Sequence, residues 1–87
     1  MYAIDVCETM DNFYNRADTY KKAIENCKDL AHLYRILRGF IRLTDEWVYV
    51  GMILTKFEEA RIKVLAYNQV LCNIREIAES KLSELSD

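Results

Sequence analysis

The chain has no proline and only two glycines, Gly39 and Gly51, among its 87 residues. These two residue types build most tight turns, because proline fixes φ and glycine tolerates backbone conformations that other residues avoid. A β-sandwich or a hairpin-rich fold needs many such turns and is therefore disfavoured. The scarcity of turn formers favours long helices with few connections, and we predict an all-α fold.

Cysteine and histidine are scarce as well. Cys7, Cys27 and Cys72 form an odd set without a CxxC pair, and His32 is the one histidine. An odd set is atypical of a secreted domain held together by disulfides. No cysteine lies three or four residues from His32, the spacing that would place two metal ligands on one helix face. We expect reduced, buried or half-buried thiols, a cytoplasmic protein and no metal or other cofactor.

Long apolar runs, strong net charge and catalytic motifs are also missing. No apolar run approaches the roughly 18 residues of a membrane span, and the acidic start of the chain is unlike a signal peptide. The net charge of −2 gives no global argument for nucleic acid binding. Neither a phosphate-binding glycine loop nor a nucleophile elbow is present. We therefore expect no membrane association and no enzymatic activity.

Apolar residues recur with the period of an amphipathic helix. In the first half they follow two lines with a spacing of seven, Met10, Ala17, Ile24 and Ala31, and Phe13, Tyr20, Cys27, Tyr34 and Ile41. In the second half the lines are Val50, Phe57, Val64, Leu71, Ala78 and Leu85, and Ile53, Ala60, Tyr67 and Ile74. This pattern is typical of coiled-coil-like seams. The residues that we expect in the core or in a dimer seam are Phe13, Tyr20, Ile24, Phe57, Val64, Leu71 and Ile74.

The first helix is expected to begin at an acidic cap. Asp5 is followed three residues later by Glu8, which resembles a capping box and places a helix over about 5–41. The apolar stripe drifts near 26–29, so a break at that point remains open. Because neither glycine nor proline occurs there, one continuous helix is the prediction.

The second helix is expected to begin at Thr44. Threonine is a good N-cap, and Asp45 in the following turn suits the positive end of the helix dipole. A turn is therefore predicted at about 42–44 and a second helix over about 45–85. The apolar run WVYVGMIL, residues 47–54, would then form the first two turns of that helix.

The predicted architecture is a single helical domain over residues 1–87, built as a long antiparallel helical hairpin. Further apolar residues widen the stripe on both helices: Ala23, Leu30, Leu37, Leu54, Val70, Ile77 and Leu82. A two-helix seam cannot cover so wide a stripe, so we predict a homodimer in which two hairpins form a four-helix bundle. The alternative is a compact three- or four-helix monomer with additional breaks near residues 28 and 67.

A group of residues near the predicted turn indicates a docking surface. Tryptophan, tyrosine and arginine are the residues most enriched in binding hot spots. All three types occur in one short stretch, and the residues predicted to contact a partner are Arg35, Arg38, Arg42, Trp47 and Tyr49. The tryptophan could instead close the tip of the bundle.

Taken together, these features predict a small non-catalytic protein–protein interaction module. It would act as an inhibitor, adaptor or regulator of a larger partner, and an origin in a phage or another mobile element is an analogy from its size. A different helical protein could instead cover the wide stripe. The alternative function is a nucleic-acid-binding helical hairpin dimer, whose first helix presents a basic edge at intervals of seven residues: Lys21, Lys28, Arg35 and Arg42.

Overall fold

The computed structural model describes residues 5–86 and places most of them in helices. In chain order these are α1 (Val6–Asn26), α2 (Leu30–Leu54), a 3₁₀ turn (Glu58–Ala60) and α3 (Arg61–Ser86). No β-strand occurs within this part of the chain. The prediction of an all-α fold is confirmed. The α-helices pack side by side in an elongated bundle of 50 × 22 × 17 Å.

The number and boundaries of the helices differ from the predicted hairpin. The helix predicted over 5–41 is interrupted at residues 27–29, and the helix predicted over 45–85 is interrupted at 55–57. The turn predicted at 42–44 lies inside α2. Each of the helices packs against the other two. The described residues therefore form three helices, the helix number of the alternative architecture, and the oligomeric state stays a prediction.

The two ends of α1 have clear local causes. At its start, the Asp5 carboxylate accepts a hydrogen bond of 3.0 Å from the backbone N–H of Glu8, which satisfies one of the free amides of the first turn. At its end, the backbone N–H of Cys27 donates to the carbonyl of Ile24. The buried Cys27 thiol donates to the carbonyl of Asp29 at 3.1 Å. The drift of the apolar stripe near 26–29 thus marks a real break.

Thr44 does not cap a helix, contrary to the prediction. Its hydroxyl donates to the Phe40 carbonyl at 3.0 Å, a bond that threonine commonly makes within a helix. Glu46, two residues further along, forms a salt bridge with Arg16 of α1. Phe40 and Trp47, on either side of the expected turn, are both buried in the core. Their burial on one face keeps α2 helical through a sequence that resembles a cap.

The connection between α2 and α3, residues 55–57, contains neither glycine nor proline. The fully buried Leu54 and Ala60 stand on either side of it and fix the chain in the core. Arg61, the first residue of α3, donates from its Nε to the Thr55 carbonyl at 3.1 Å, which satisfies a carbonyl group at the end of α2. The second break of the alternative architecture was expected near Tyr67, which lies instead inside α3.

An aromatic cluster occupies the middle of the core. The ring centroids of Phe13 and Trp47 are 5.1 Å apart, and those of Trp47 and Tyr67 are 4.3 Å apart. Buried polar atoms of the cluster have partners: the Tyr67 hydroxyl donates to the Phe13 carbonyl at 2.9 Å, and the Trp47 indole N–H donates to Asn68 Oδ1 at 2.8 Å. The cluster joins all three helices, since it takes one ring from each.

Most of the residues predicted for the core or seam are buried within a single chain. Tyr20 is half-buried, and its ring packs edge-on against Phe40 with 6.2 Å between centroids. Placing Phe57 in the core is wrong, because it lies exposed in the connection between α2 and α3, where the predicted seam is interrupted. The buried members of the set are Phe13, Ile24, Val64, Leu71 and Ile74.

The third helix also covers the wide apolar stripe. Leu54 is fully buried, and the other members of the stripe pack against the core: Ala23, Leu30, Leu37, Val70, Ile77 and Leu82. The dimer was predicted because a two-helix seam could not cover these residues. Because these residues are covered within one chain, they are no longer a reason to expect a homodimer. The homodimer stays a prediction.

Candidate protein-docking face

The structure separates the five residues that the sequence suggested for partner binding. Trp47 is only 3% exposed and belongs to the core, so its assignment to a partner surface is wrong. Tyr49 is 73% exposed. Trp47 and Tyr49 face opposite ways because residues two positions apart on an α-helix are rotated by about 200° around its axis. Arg35, Arg38 and Arg42 are exposed on the outer side of α2.

Four large apolar side chains form a row on the outside of α2, here called the α2 stripe. Their spacing of seven, seven and four residues places them within about 40° of one another around the helix. The heptad pattern placed Tyr34 and Ile41 in a buried seam. This is wrong because the pattern was continued through residues 27–29, where the helix register changes. The four residues are Tyr34, Ile41, Val48 and Met52, and they are 51%, 58%, 57% and 68% exposed.

Further exposed apolar residues surround the connection between α2 and α3. Six of the eight large apolar side chains exposed among residues 5–86 fall between positions 48 and 65. Single exposed apolar residues are ordinary, whereas a concentration of them marks an interaction site. Besides Val48 and Met52 of the α2 stripe, the members are Tyr49, Phe57, Ile62 and Leu65.

The α2 stripe borders the groove between α2 and α3. Two depressions follow each other along this groove, one of about 350 Å³ beside residues 37–45 and one of about 270 Å³ beside residues 47–55. Apolar side chains line much of the first depression, namely Leu37, Phe40, Ile41, Ala78 and Leu82. Its polar lining is Thr44, Asp45, Arg75 and Glu79. The second is lined by Trp47, Val48, Gly51, Met52, Thr55, Val64 and Asn68.

Arginines lie beside the α2 stripe on the outer side of the helix. Arg38 and Arg42 are exposed, and no carboxylate lies within 4.0 Å of either one in the part of the chain that is described. The nearby Glu46 is engaged by Arg16 through two hydrogen bonds of 3.1 and 2.7 Å. These bonds hold the pKa of Glu46 below its usual range. The guanidinium groups beside the stripe are therefore available to a partner.

Groups that could carry chemistry are dispersed. Within residues 5–86, no set of three or more histidine, cysteine or acidic side chains is placed to hold a metal ion. The three cysteines are free. The expectation of buried or half-buried thiols is wrong for Cys7 and Cys72, which are exposed, and right for Cys27. Cys7 Sγ lies 3.8 Å from Lys63 Nζ on the surface. No helix in the described residues combines the length and apolarity needed to cross a membrane.

The predicted basic edge is divided by the fold. Lys21 lies on α1 and Lys28 lies in the connection, whereas Arg35 and Arg42 lie on α2. The two helices are antiparallel, since Arg16 pairs with Glu46 and Tyr20 packs against Phe40. The four cations therefore do not form one row along one helix. The nucleic-acid alternative stays a prediction, without that row to support it.

Comparison of the chain with protein-family models, with curated proteins and with solved structures finds no match. Function must therefore be argued from the chemistry of the exposed groups. The α2 stripe, the groove beside it and the neighbouring arginines are the features that the core does not account for.

Proposed function

We propose that this protein is a small non-catalytic binding module that acts as an inhibitor, adaptor or regulator of a larger protein. The α2 stripe carries the proposal. Its four side chains are more than half exposed, although nearly the whole opposite face of the helix is buried. Covering such side chains releases about 25 cal/mol for each Å² of apolar surface removed from water. A partner that covers the stripe gains this free energy.

The polar groups beside the stripe suit binding better than reaction. Arg38, Arg42 and Tyr49 flank it on the exposed side of α2. A guanidinium group stays protonated at neutral pH, so it donates hydrogen bonds to a partner and does not act as a general base. Arginine and tyrosine are both enriched in protein-binding hot spots. An origin in a phage or another mobile element is proposed only by analogy with the size of such inhibitors.

Site-specific photo-crosslinking tests the proposal. The photoreactive residue benzoylphenylalanine replaces Val48 in the α2 stripe or, as a matched control, the exposed Asn12 of α1. We expect position 48 to give one crosslinked protein of larger mass, which excess unlabelled protein removes by competition. Crosslinks of equal yield from both positions would contradict the proposal. A product that contains only this chain would do so too, and would support the predicted homodimer.

A further inference from the structure

We infer that the element bound by this face is an amphipathic α-helix with acidic flanks, lying along the groove between α2 and α3. The inference rests on the proposed protein-binding function and names the kind of partner. Three features support it: the shape of the groove, the hydrogen bonding of the backbone around it and the charges near it.

The groove has the dimensions of a helix-binding site. Its two depressions lie beside residues 37–45 and 47–55 of α2, so their centres are ten residues apart. Ten residues of helix span about 15 Å. A second helix laid parallel to the groove presents side chains on one face at i, i+4, i+7 and i+11, and the outer two of these match that separation.

The backbone around the groove favours a helix over an extended strand. Both walls are α-helices, whose backbone N–H and C=O groups are already hydrogen-bonded to one another along their length. A strand binds by pairing with free backbone groups at a sheet edge, and the groove has no such edge. A helix satisfies its own backbone and binds through side chains alone. A helix bound in the groove would pack against α2 and α3 in the way that a further helix of a bundle would.

The charges around the groove favour a helix with acidic flanks. The lining itself holds two carboxylates, Asp45 and Glu79, and one cation, Arg75. Four further cations lie outside the lining: Arg38 and Arg42 beside the stripe, Lys56 beside Tyr49 and Met52, and Arg61, which donates to the Thr55 carbonyl. The carboxylates outside it are Glu58 and Glu59 of the 3₁₀ turn, and Glu46, which Arg16 holds. The flanks of a helix in the groove would meet these outer groups, among which the cations predominate.

A second copy of α2 is a poorer occupant than an acidic helix. Two antiparallel helices that pack through the same stripe place the same edge of each side by side. In a pair centred on residue 43, the middle of the stripe, the Arg42 side chains of the two copies would lie close together. Like charges in such positions are destabilising. Glutamates on the flank of a partner helix would pair with these groups instead.

Two designed peptides test the inference with the full-length protein. Both are amphipathic helices of about 20 residues with identical apolar residues at i, i+4, i+7 and i+11. The flanking positions are glutamate in one peptide and lysine in the other. We expect the glutamate peptide to bind about tenfold more tightly by calorimetry, and we expect the difference to shrink at about 0.5 M salt. In NMR spectra of labelled protein, the largest shifts should occur around Ile41, Val48 and Met52.

Charge reversal on the protein provides the internal control. The double variant Arg38→Glu with Arg42→Glu should reverse the preference between the peptides, and Val48→Glu should weaken both. All three side chains are exposed, so the fold should persist, which circular dichroism checks. Lys21→Glu makes a charge reversal of the same kind on α1 and should leave both affinities unchanged.

Several outcomes would overturn the inference. One is equal affinity for the two peptides, and another is a set of NMR shifts centred on α1. Binding to phosphatidylglycerol vesicles that Val48→Glu abolishes, without a difference between the peptides, would assign the stripe to lipid. If neither peptide binds but position 48 crosslinks to a larger protein, the acidic helix is wrong while the proposed function survives. Failure of that crosslink removes the proposed function itself.

Discussion

At the scale of single residues, Gly51 is a helical glycine with room for a side chain. A Cβ atom placed there would lie 3.5 Å from the nearest atom of the Trp47 ring, an ordinary van der Waals distance. Glycine inside a helix costs about 1 kcal/mol relative to alanine. We expect Gly51→Ala to raise the free energy of unfolding by about 0.5 to 1 kcal/mol. Urea denaturation with an unchanged m-value would measure this gain.

Gly39 should behave differently because a tyrosine occupies the space beside it. A Cβ atom there would lie 2.6 Å from the Tyr20 hydroxyl oxygen and 2.8 Å from a ring carbon, so the ring would have to move. We expect Gly39→Ala to lower the free energy of unfolding despite its better helix propensity. In a Tyr20→Ala background the same substitution should become stabilising, and a double-mutant cycle measures the coupling. Equal stabilisation by both glycine substitutions would contradict this steric explanation.

The salt bridge between Arg16 and Glu46 should make stability depend on pH. The pKa of Glu46 is lower in the folded chain than its ordinary value. The stabilisation is therefore present above the ordinary pKa of glutamate, about 4.3, and is lost as the pH falls through the folded value. The two side chains are 37% and 51% exposed. Solvent screening thus limits the effect to about 0.5 to 1 kcal/mol.

A comparison with Glu46→Gln measures this contribution. Between about pH 6 and about pH 3, urea denaturation should show a larger loss of stability in the unmodified protein than in the variant. Glu25→Gln, which removes an exposed carboxylate of α1 outside the salt bridge, serves as the matched control. An identical pH profile for Glu46→Gln and the unmodified protein would mean that the salt bridge contributes nothing.

At the scale of the helices, Leu54 and Phe57 differ in burial, although both were assigned to apolar positions of the predicted second helix. Leu54 is fully buried and Phe57 is 36% exposed. We expect Leu54→Ala to cost about 2 to 5 kcal/mol, because a cavity is left where α2 ends. Phe57→Ala should cost less than about 1 kcal/mol. Thermal and urea denaturation of the two variants checks the order, and a larger loss for Phe57→Ala would return that residue to the core.

At the scale of the whole molecule, the α2 stripe should be separable from folding. Val48 is 57% exposed, so Val48→Glu should change the free energy of unfolding by no more than about 0.5 kcal/mol. Light scattering, compared with the chain mass of 10.3 kDa, tests whether the stripe also joins two copies. If the predicted homodimer forms through the stripe, Val48→Glu should reduce the measured mass to that of one chain. A dimer that persists in the variant would place the dimer contact elsewhere.

The heptad pattern predicted two of the helices better than the third. In α1 the pattern from Met10 to Ile24, and in α3 the pattern from Val64 to Ala78, coincide with buried positions apart from the half-buried Tyr20. The heptad pattern of the first half of the chain and that of the second half both extend into α2, where they do not continue each other in one register. The resulting predictions placed a turn at 42–44 and moved Trp47 to the surface. Local spacing could not resolve this, because a cap sequence centred on Thr44 stood where the two patterns met.

Local patterns along the chain were enough to predict the helical class, the start of α1 after Asp5 and most of the buried residues of α1 and α3. These follow from local chemistry: few turn formers, an acidic cap and a period that repeats within each segment. The packing of the three helices was needed to show that α2 runs unbroken through Thr44, that the chain turns after Leu54 and that the α2 stripe is exposed. Each of these depends on which apolar face another helix covers, and a third helix removes one face from water while it leaves another without a partner.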